Sequence, residues 1–296
     1  MNYKRVPLEN FNPITSFDAM IKMQFFVDRD KAPFNNDATD FDATNAWWMI
    51  DHSRLAYVPD KKYVRKVLKE AGYSDVKFIW NNETGTKVYV TWNDERVIVS
   101  FTGTELKNGP DDVLTDLDFL PTESGQGGVV HEGFKRAFDS VWKELETLLE
   151  DFNDKSIWIT GHSLGGALAV HAASRLMADG CYTYGAPRVG SKSFNKSIMT
   201  PIYRVAKYND IVTRVPTPPI YVHPKDLYFI TNEEKLLKNP TWFRMLYERL
   251  GGSEIKIVWL LFKLFVLKSE MSFILSYLHG HSPYNYSVYM WNNIDN

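Results

Sequence analysis

Between residues 157 and 169 the chain runs from β-branched and aromatic residues, through Gly161-His162-Ser163-Leu164-Gly165, into Gly166-Ala167-Leu168-Ala169. Few folds accommodate that succession. Ile157-Trp158-Ile159-Thr160 reads as a buried strand. Leu164 to Met177, with small residues on one face, reads as a helix packed close to a sheet. The serine between them then sits on a sharp strand-to-helix turn with its hydroxyl presented as a nucleophile. Glycines at 161 and 165 suit a turn that leaves no room for a neighbouring Cβ. The helix start brings backbone N–H groups toward any oxyanion that develops beside the serine.

The flanking sequence supports an α/β layout. Residues 1–41 read as an irregular N-terminal extension, with a loop over 30–42. Ala43 to Tyr57 has helical periodicity, and Tyr63 to Ala71, closed by Gly72, reads as a second helix. Three β-like runs follow at Val76–Trp80, Lys87–Trp92 and Arg96–Thr102, then a long amphipathic helix over Phe134–Phe152. After the 157–160 strand and its helix come strands at 181–185 and 203–208. Strands alternating with helices imply one domain with a mostly parallel central sheet flanked by helices. The stretch 224–280 breaks the pattern. It reads as a helical, apolar insertion, lid-like or lying in a membrane interface, whose core runs from Ile255 to Lys268. Lysines 256, 263 and 268 keep it short of the roughly 18 uncharged residues of a spanning helix. Lys256 and Lys263 share a helical face, which suits either an interfacial helix beside anionic headgroups or a packed helix whose lysine tips reach water.

Composition narrows the class of partner. Of 296 residues 44% are hydrophobic and 24% charged, with a formal net charge of -2, which describes an ordinary globular protein and gives no support to nucleic-acid binding. Aromatic content of 15% fits either the handling of apolar ligands or a well-packed core. Cys181, the single cysteine, excludes an internal disulfide. The first residues show no charged-then-apolar signal pattern, so the expected location is cytoplasmic, with peripheral membrane association or export by another route left open.

A serine hydroxyl attacks only when a base takes its proton, and that base is usually an imidazole oriented by a carboxylate. In a fold of this type the order along the chain is serine, acid, histidine. After Ser163 the acids include Asp179, Asp210, Asp226, Glu233 and Asp295. Asp210 follows the β-like run Tyr203–Tyr208 and so falls at a strand's C-terminal end, where α/β sites form. His223 lies close to Asp210 between prolines. His279 and His281, separated only by Gly280, are the stronger candidates: either one acts as base while the other lines the pocket, or both are surface loop histidines.

Several segments together resemble the class 3, fungal-type lipase family of the α/β-hydrolase fold. Val97 to Thr104 resembles the strand leading to its oxyanion turn, with Thr102 where an arginine is usual. Asp112 to Leu117 resembles its Trp-x-x-Asp-Leu segment, His131-Glu132-Gly133-Phe134 its His-x-Gly-Phe, Gly161 to Ala169 its nucleophile elbow, and Tyr184 to Gly190 its Gly-x-Pro-Arg-Val-Gly. The resemblance implies Ser163 as nucleophile and Asp210 as acid. The family's catalytic histidine is often followed three residues later by tyrosine, which matches His281 and Tyr284 and makes His281 the base. Oxyanion donors would be the N–H groups of Leu164 and Thr104. Glu105 to about Pro121 would be a lid, with Gly109-Pro110 as hinge and Leu114, Leu117 and Phe119 as apolar contacts. His162 and His279 would line the substrate site. The implied activity is hydrolysis of lipid esters, of triacylglycerol or of phospholipid in the A1 manner, at a membrane or lipid-droplet surface and with no metal or organic cofactor. The alternative is a lipid- or membrane-binding protein on an inactive scaffold.

Overall fold

The computed structural model describes residue 5 and residues 24–103, 120–250 and 280–294. Two helices, α1 (Ala43–Leu55) and α2 (Lys61–Glu70), precede the first strands. Each starts on an aspartate. Asp42 accepts from Asn45 N, and Asp60 accepts from Lys62 N and Tyr63 N, which satisfies N–H groups that have no partner inside the helix. Gly72, at φ 90°, follows the end of α2.

Three strands follow, β1 (Asp75–Asn81), β2 (Thr86–Trp92) and β3 (Arg96–Phe101). They are antiparallel because their connections are tight turns. Asn81 Oδ1 accepts from Glu83 N and Thr84 N, and Asn93 Oδ1 accepts from Glu95 N and Arg96 N. Such side-chain-to-backbone bonds are what asparagine contributes to a turn. A short hairpin of β4 (Pro121–Glu123) and β5 (Val129–His131) then leads into α3 (Glu132–Leu149). The chain continues through β6 (Ser156–His162), α4 (Leu164–Arg175), β7 (Gly180–Tyr184), α5 (Lys192–Ser197) and β8 (Ile202–Lys207). Two further strands, β9 (Leu227–Ile230) and β10 (Leu236–Lys238), precede α6 (Trp242–Arg249). The last described helix is α7 (Pro283–Asn292).

The eight-stranded sheet has the order β1-β2-β3-β6-β7-β8-β9-β10. The run β3-β6-β7-β8-β9 is parallel, and both margins are antiparallel. Strand alternation divides the core. Val97, Val99 and Phe101 of β3 join α3 and α4 residues such as Phe134, Phe138 and Leu168 on one face. Ile98 joins the aromatic layer of Trp47, Trp48, Tyr184 and Tyr286 on the other, built from α1, α7 and the sheet.

One expectation changes here. The stretch beginning at 224 is not insertion throughout, since β9 and β10 complete the sheet. Residues 251–279, including the Ile255–Lys268 run, lie outside the described residues. The N-terminal extension, irregular as expected where described, nevertheless supplies Phe25, Phe26, Ala32 and Phe34 to the core.

Candidate active site

The C-terminal ends of β3, β6, β7 and β8 align, and the site forms along that edge. Ser163 follows β6 with φ 59° and ψ -131°. Such a conformation costs a non-glycine residue on the order of 1–3 kcal/mol and persists only where its surroundings hold it. Here Ser163 N donates to the Tyr184 carbonyl at 2.9 Å, and its own carbonyl accepts from Gly166 N at 2.9 Å. Gly165 is required for the closeness of the packing, since a Cβ there would collide with the Phe101 carbonyl and stand 2.9 Å from Gly103 N. The turn after β3 is thereby brought against the head of α4. Leu164 is the first residue of α4, so its N–H has no acceptor within the helix. Gly103 is described; Thr104 is not, nor are Leu114, Leu117, Phe119 and His279.

Asp210, three residues past β8, is fully buried. Its carboxylate accepts from Val212 N at 3.0 Å, from the Tyr286 hydroxyl at 2.7 Å, and from His281 Nδ1 at 2.9 Å to Oδ2 and 3.0 Å to Oδ1. A carboxylate bonded to Nδ1 fixes the tautomer that leaves Nε2 as the basic atom. That Nε2 is buried and hydrogen-bonds to nothing among the described residues, so the bond to the Ser163 hydroxyl is open in this conformation. Gly185 makes the tight approach feasible. It has φ 58°, and a Cβ on it would stand 2.6 Å from Asp210 Oδ2 and 3.0 Å from the His281 ring.

Sequence reasoning chose His281 because Tyr284 follows it by three residues. The hydroxyl that reaches Asp210 belongs to Tyr286, and the Arg54 guanidinium lies over the Tyr284 ring at 5.3 Å. Tyr286 lies in the run Asn285–Met290 of α7, which is buried throughout, so no periodic stripe in the sequence marks it. Its hydroxyl is held far above the usual phenol range by burial and by the neighbouring Asp210 charge, so it remains a donor. His162 departs from the expected pocket-lining role. It is 3% exposed, with Nε2 on the His281 carbonyl at 2.7 Å and Nδ1 beside the Tyr57 hydroxyl at 3.0 Å. Both ring nitrogens are committed inside the protein. His223 is separate from the site, its Nε2 donating to the Thr213 carbonyl at 2.7 Å. Thr102, where the family usually has arginine, donates its hydroxyl to the Ala56 carbonyl at 2.8 Å and so ties β3 to the end of α1.

Residues 98–219 match the model of the family described as Lipase (class 3). Over that stretch the chain is similar to the class 3 lipases. The match takes in the Ser163 elbow and Asp210 and stops short of His281. A chloroplastic phospholipase A(1) of Arabidopsis thaliana is 30% identical over 188 residues, covering 58% of this chain and 40% of that protein. A secreted mono- and diacylglycerol lipase of Malassezia globosa is 29% identical over 209 residues, covering 61% of this chain and 68% of that one. The match thus spans well under half of the plant relative and about two thirds of the fungal one. The crystal structure of a lipase from Rhizopus microsporus var. chinensis superposes with a TM-score of 0.52 at 27% identity, covering 70% of this chain and 82% of that one. The described residues therefore have the α/β-hydrolase fold, with a mostly parallel sheet between helices.

Proposed function

We propose that this chain hydrolyses carboxylic esters of lipids through an acyl-enzyme on Ser163. The observation that carries the reading is the buried Asp210–His281 pair, set beside a serine held at positive φ. His281 Nε2 takes the proton of the Ser163 hydroxyl as Oγ bonds to the ester carbonyl carbon. Asp210 stabilises the resulting imidazolium. The Leu164 N–H, joined by a donor from the turn at Thr104, holds the oxyanion, each donor contributing about 3 kcal/mol to the transition state. The imidazolium returns its proton to the leaving alcohol oxygen as the C–O bond breaks. Water, deprotonated by the same nitrogen, then releases the fatty acid and restores Ser163. This scheme uses no metal or organic cofactor. Replacement Ser163→Ala is expected to abolish hydrolysis of p-nitrophenyl acyl esters with the fold intact by circular dichroism; turnover at the wild-type rate would remove Ser163 from the chemistry.

The open contact at His281 Nε2 is the one observation that favours the other reading, a lipid-binding protein on an inactive scaffold. A fluorophosphonate probe separates the two, because only an activated serine is labelled.

Among lipid esters we infer phospholipid at a membrane surface. Helix α6 exposes Trp242, Phe243 and Tyr247 and carries Arg244 and Arg249, the residue types of an interfacial helix. It leads directly toward the lysine-studded apolar stretch. The relative described as a phospholipase A(1) supports this choice, and the one described as a mono- and diacylglycerol lipase supports the competing one. Among the described residues no helix is long and apolar enough to cross a membrane, and the location we propose is peripheral, on a bilayer or lipid droplet. Product analysis after incubation with mixed phospholipid and triacylglycerol vesicles decides between them: lysophospholipid supports our choice, diacylglycerol alone overturns it.

A further inference from the structure

The His162 side chain bridges the two halves of the site. A carbonyl oxygen only accepts, so the 2.7 Å contact with the His281 carbonyl puts the proton on His162 Nε2. Nδ1 is then the unprotonated nitrogen, and the Tyr57 hydroxyl donates to it at 3.0 Å. The Gly103 N–H reaches the same hydroxyl. Four segments meet through this chain of bonds: the end of α1, the turn after β3, the residue before the nucleophile, and the residue proposed as base. The main chain of His281 lies ahead of α7, whose ladder opens with Tyr286 N on the Ser282 carbonyl. The helix therefore leaves the His281 carbonyl to another donor, and His162 supplies it.

We propose that His162 is a positioning residue that sets the spacing between nucleophile and base, with Tyr57 fixing the tautomer that lets it do so. The inference rests on the hydrolase reading above. It replaces the expectation that His162 lines the substrate site. Because residue 162 is joined covalently to the nucleophile, a hydrogen bond from its side chain to the base's own backbone ties the two reacting residues by the shortest route available. Misplacement of reacting groups by about 1 Å costs on the order of a hundredfold in rate, so this bond has leverage out of proportion to its strength. The ring is also suited to remain neutral beside a transient imidazolium. Burial, and then the adjacent His281 charge, hold His162 well below the usual imidazole range, and the two ring centres are 4.5 Å apart.

The test is the second-order rate of fluorophosphonate labelling, together with kcat and KM on a soluble ester. The wild type is compared with H162L, H162Q, Y57F and the Y57F/H162L double variant, and unfolding midpoints confirm that each is folded. H162L is expected to label about tenfold to a hundredfold more slowly, with kcat reduced alike and KM unchanged. H162Q, whose amide N–H stands near the position of Nε2, recovers most of the rate. Y57F loses part of it, and the double variant is no slower than H162L alone, because both changes break one chain of bonds. H162L labelled at the wild-type rate overturns the inference, as do losses that multiply in the double variant. Should H162L fail to fold, Y57F labelled at the wild-type rate overturns it equally. A wild type that takes no label sinks the hydrolase reading itself, an outcome distinct from a labelled wild type with indifferent variants.

Discussion

Three donors besides solvent-excluded packing hold the Asp210 carboxylate, and the Tyr286 hydroxyl is the one that a substitution removes without touching backbone or base. Lys207 N donates to that hydroxyl at 3.0 Å, which directs its single proton to Asp210. Bonds to a charged acceptor contribute about 1.5–3 kcal/mol. Tyr286→Phe is therefore expected to lower kcat on a soluble ester by roughly tenfold to a hundredfold while leaving KM in place; an effect on KM alone would show that the hydroxyl serves substrate rather than carboxylate. Gly185→Ala is expected to be inactive, because its Cβ would stand 2.6 Å from Asp210 Oδ2 in a backbone conformation with φ 58°. Wild-type turnover by the Gly185→Ala protein would mean that the pair can shift without loss. At this scale Ser163 was legible, because a strained serine needs small neighbours in a local pattern. Asp210 was legible through its place at a strand end. Tyr286 and the bridging of His162 were not, since both depend on which side chains α7 and β6 turn toward each other.

Helices α1 and α7 pack as a pair across the aromatic face, and a buried polar clamp joins them. Arg54 pairs with Asp51 at 2.5 Å, with side-chain exposures of 4% and 1%. Ser287 of α7 donates to the same carboxylate at 2.6 Å, and Phe26 N donates at 2.8 Å. Removing one partner of a buried pair leaves the other charge uncompensated. Asp51→Ala is expected to cost about 3–5 kcal/mol in urea unfolding and to reduce activity with it, since α7 follows directly on His281. The double variant Asp51→Leu/Arg54→Met should recover much of the loss; equal destabilisation of both would argue against charge burial as the cause. Elements of this length were readable in advance, with caps, amphipathic faces and β-branched runs marking α1 to α3 and the central strands. The three- and four-residue strands β4, β5, β9 and β10 were not, because so few residues display no period and are strands only by virtue of a partner.

Across the whole molecule, acid sensitivity follows from histidines buried without charge. Burial, and then the nearby Arg175 charge, lower His171 to about 3, and burial alone brings His131 to about 4. Unfolded, each titrates near 6.5. Between those values the unfolded chain binds more protons, so stability is complete above about pH 6.5 and falls as pH drops toward 3. The slope is about 1.4 kcal/mol per pH unit for each histidine. His171 lies between the Phe138 and Phe194 rings, and His171→Phe should flatten the acid limb of urea stability by one proton; an unchanged limb would place its titration elsewhere. Local order in the chain determined the class of fold, the strained turn at Ser163 and the place of Asp210 past a strand end, because a strained turn, a strand end and an alternating pattern each leave their mark within a few neighbouring residues. Tertiary structure alone decided that the 224–280 stretch begins as sheet, that the Tyr286 hydroxyl reaches the Asp210 carboxylate, and that the His162 ring bonds the His281 carbonyl. The last two relations join residues more than seventy positions apart, and hydrogen bonds across such distances are set by how helices seat on a sheet, which no short-range pattern records.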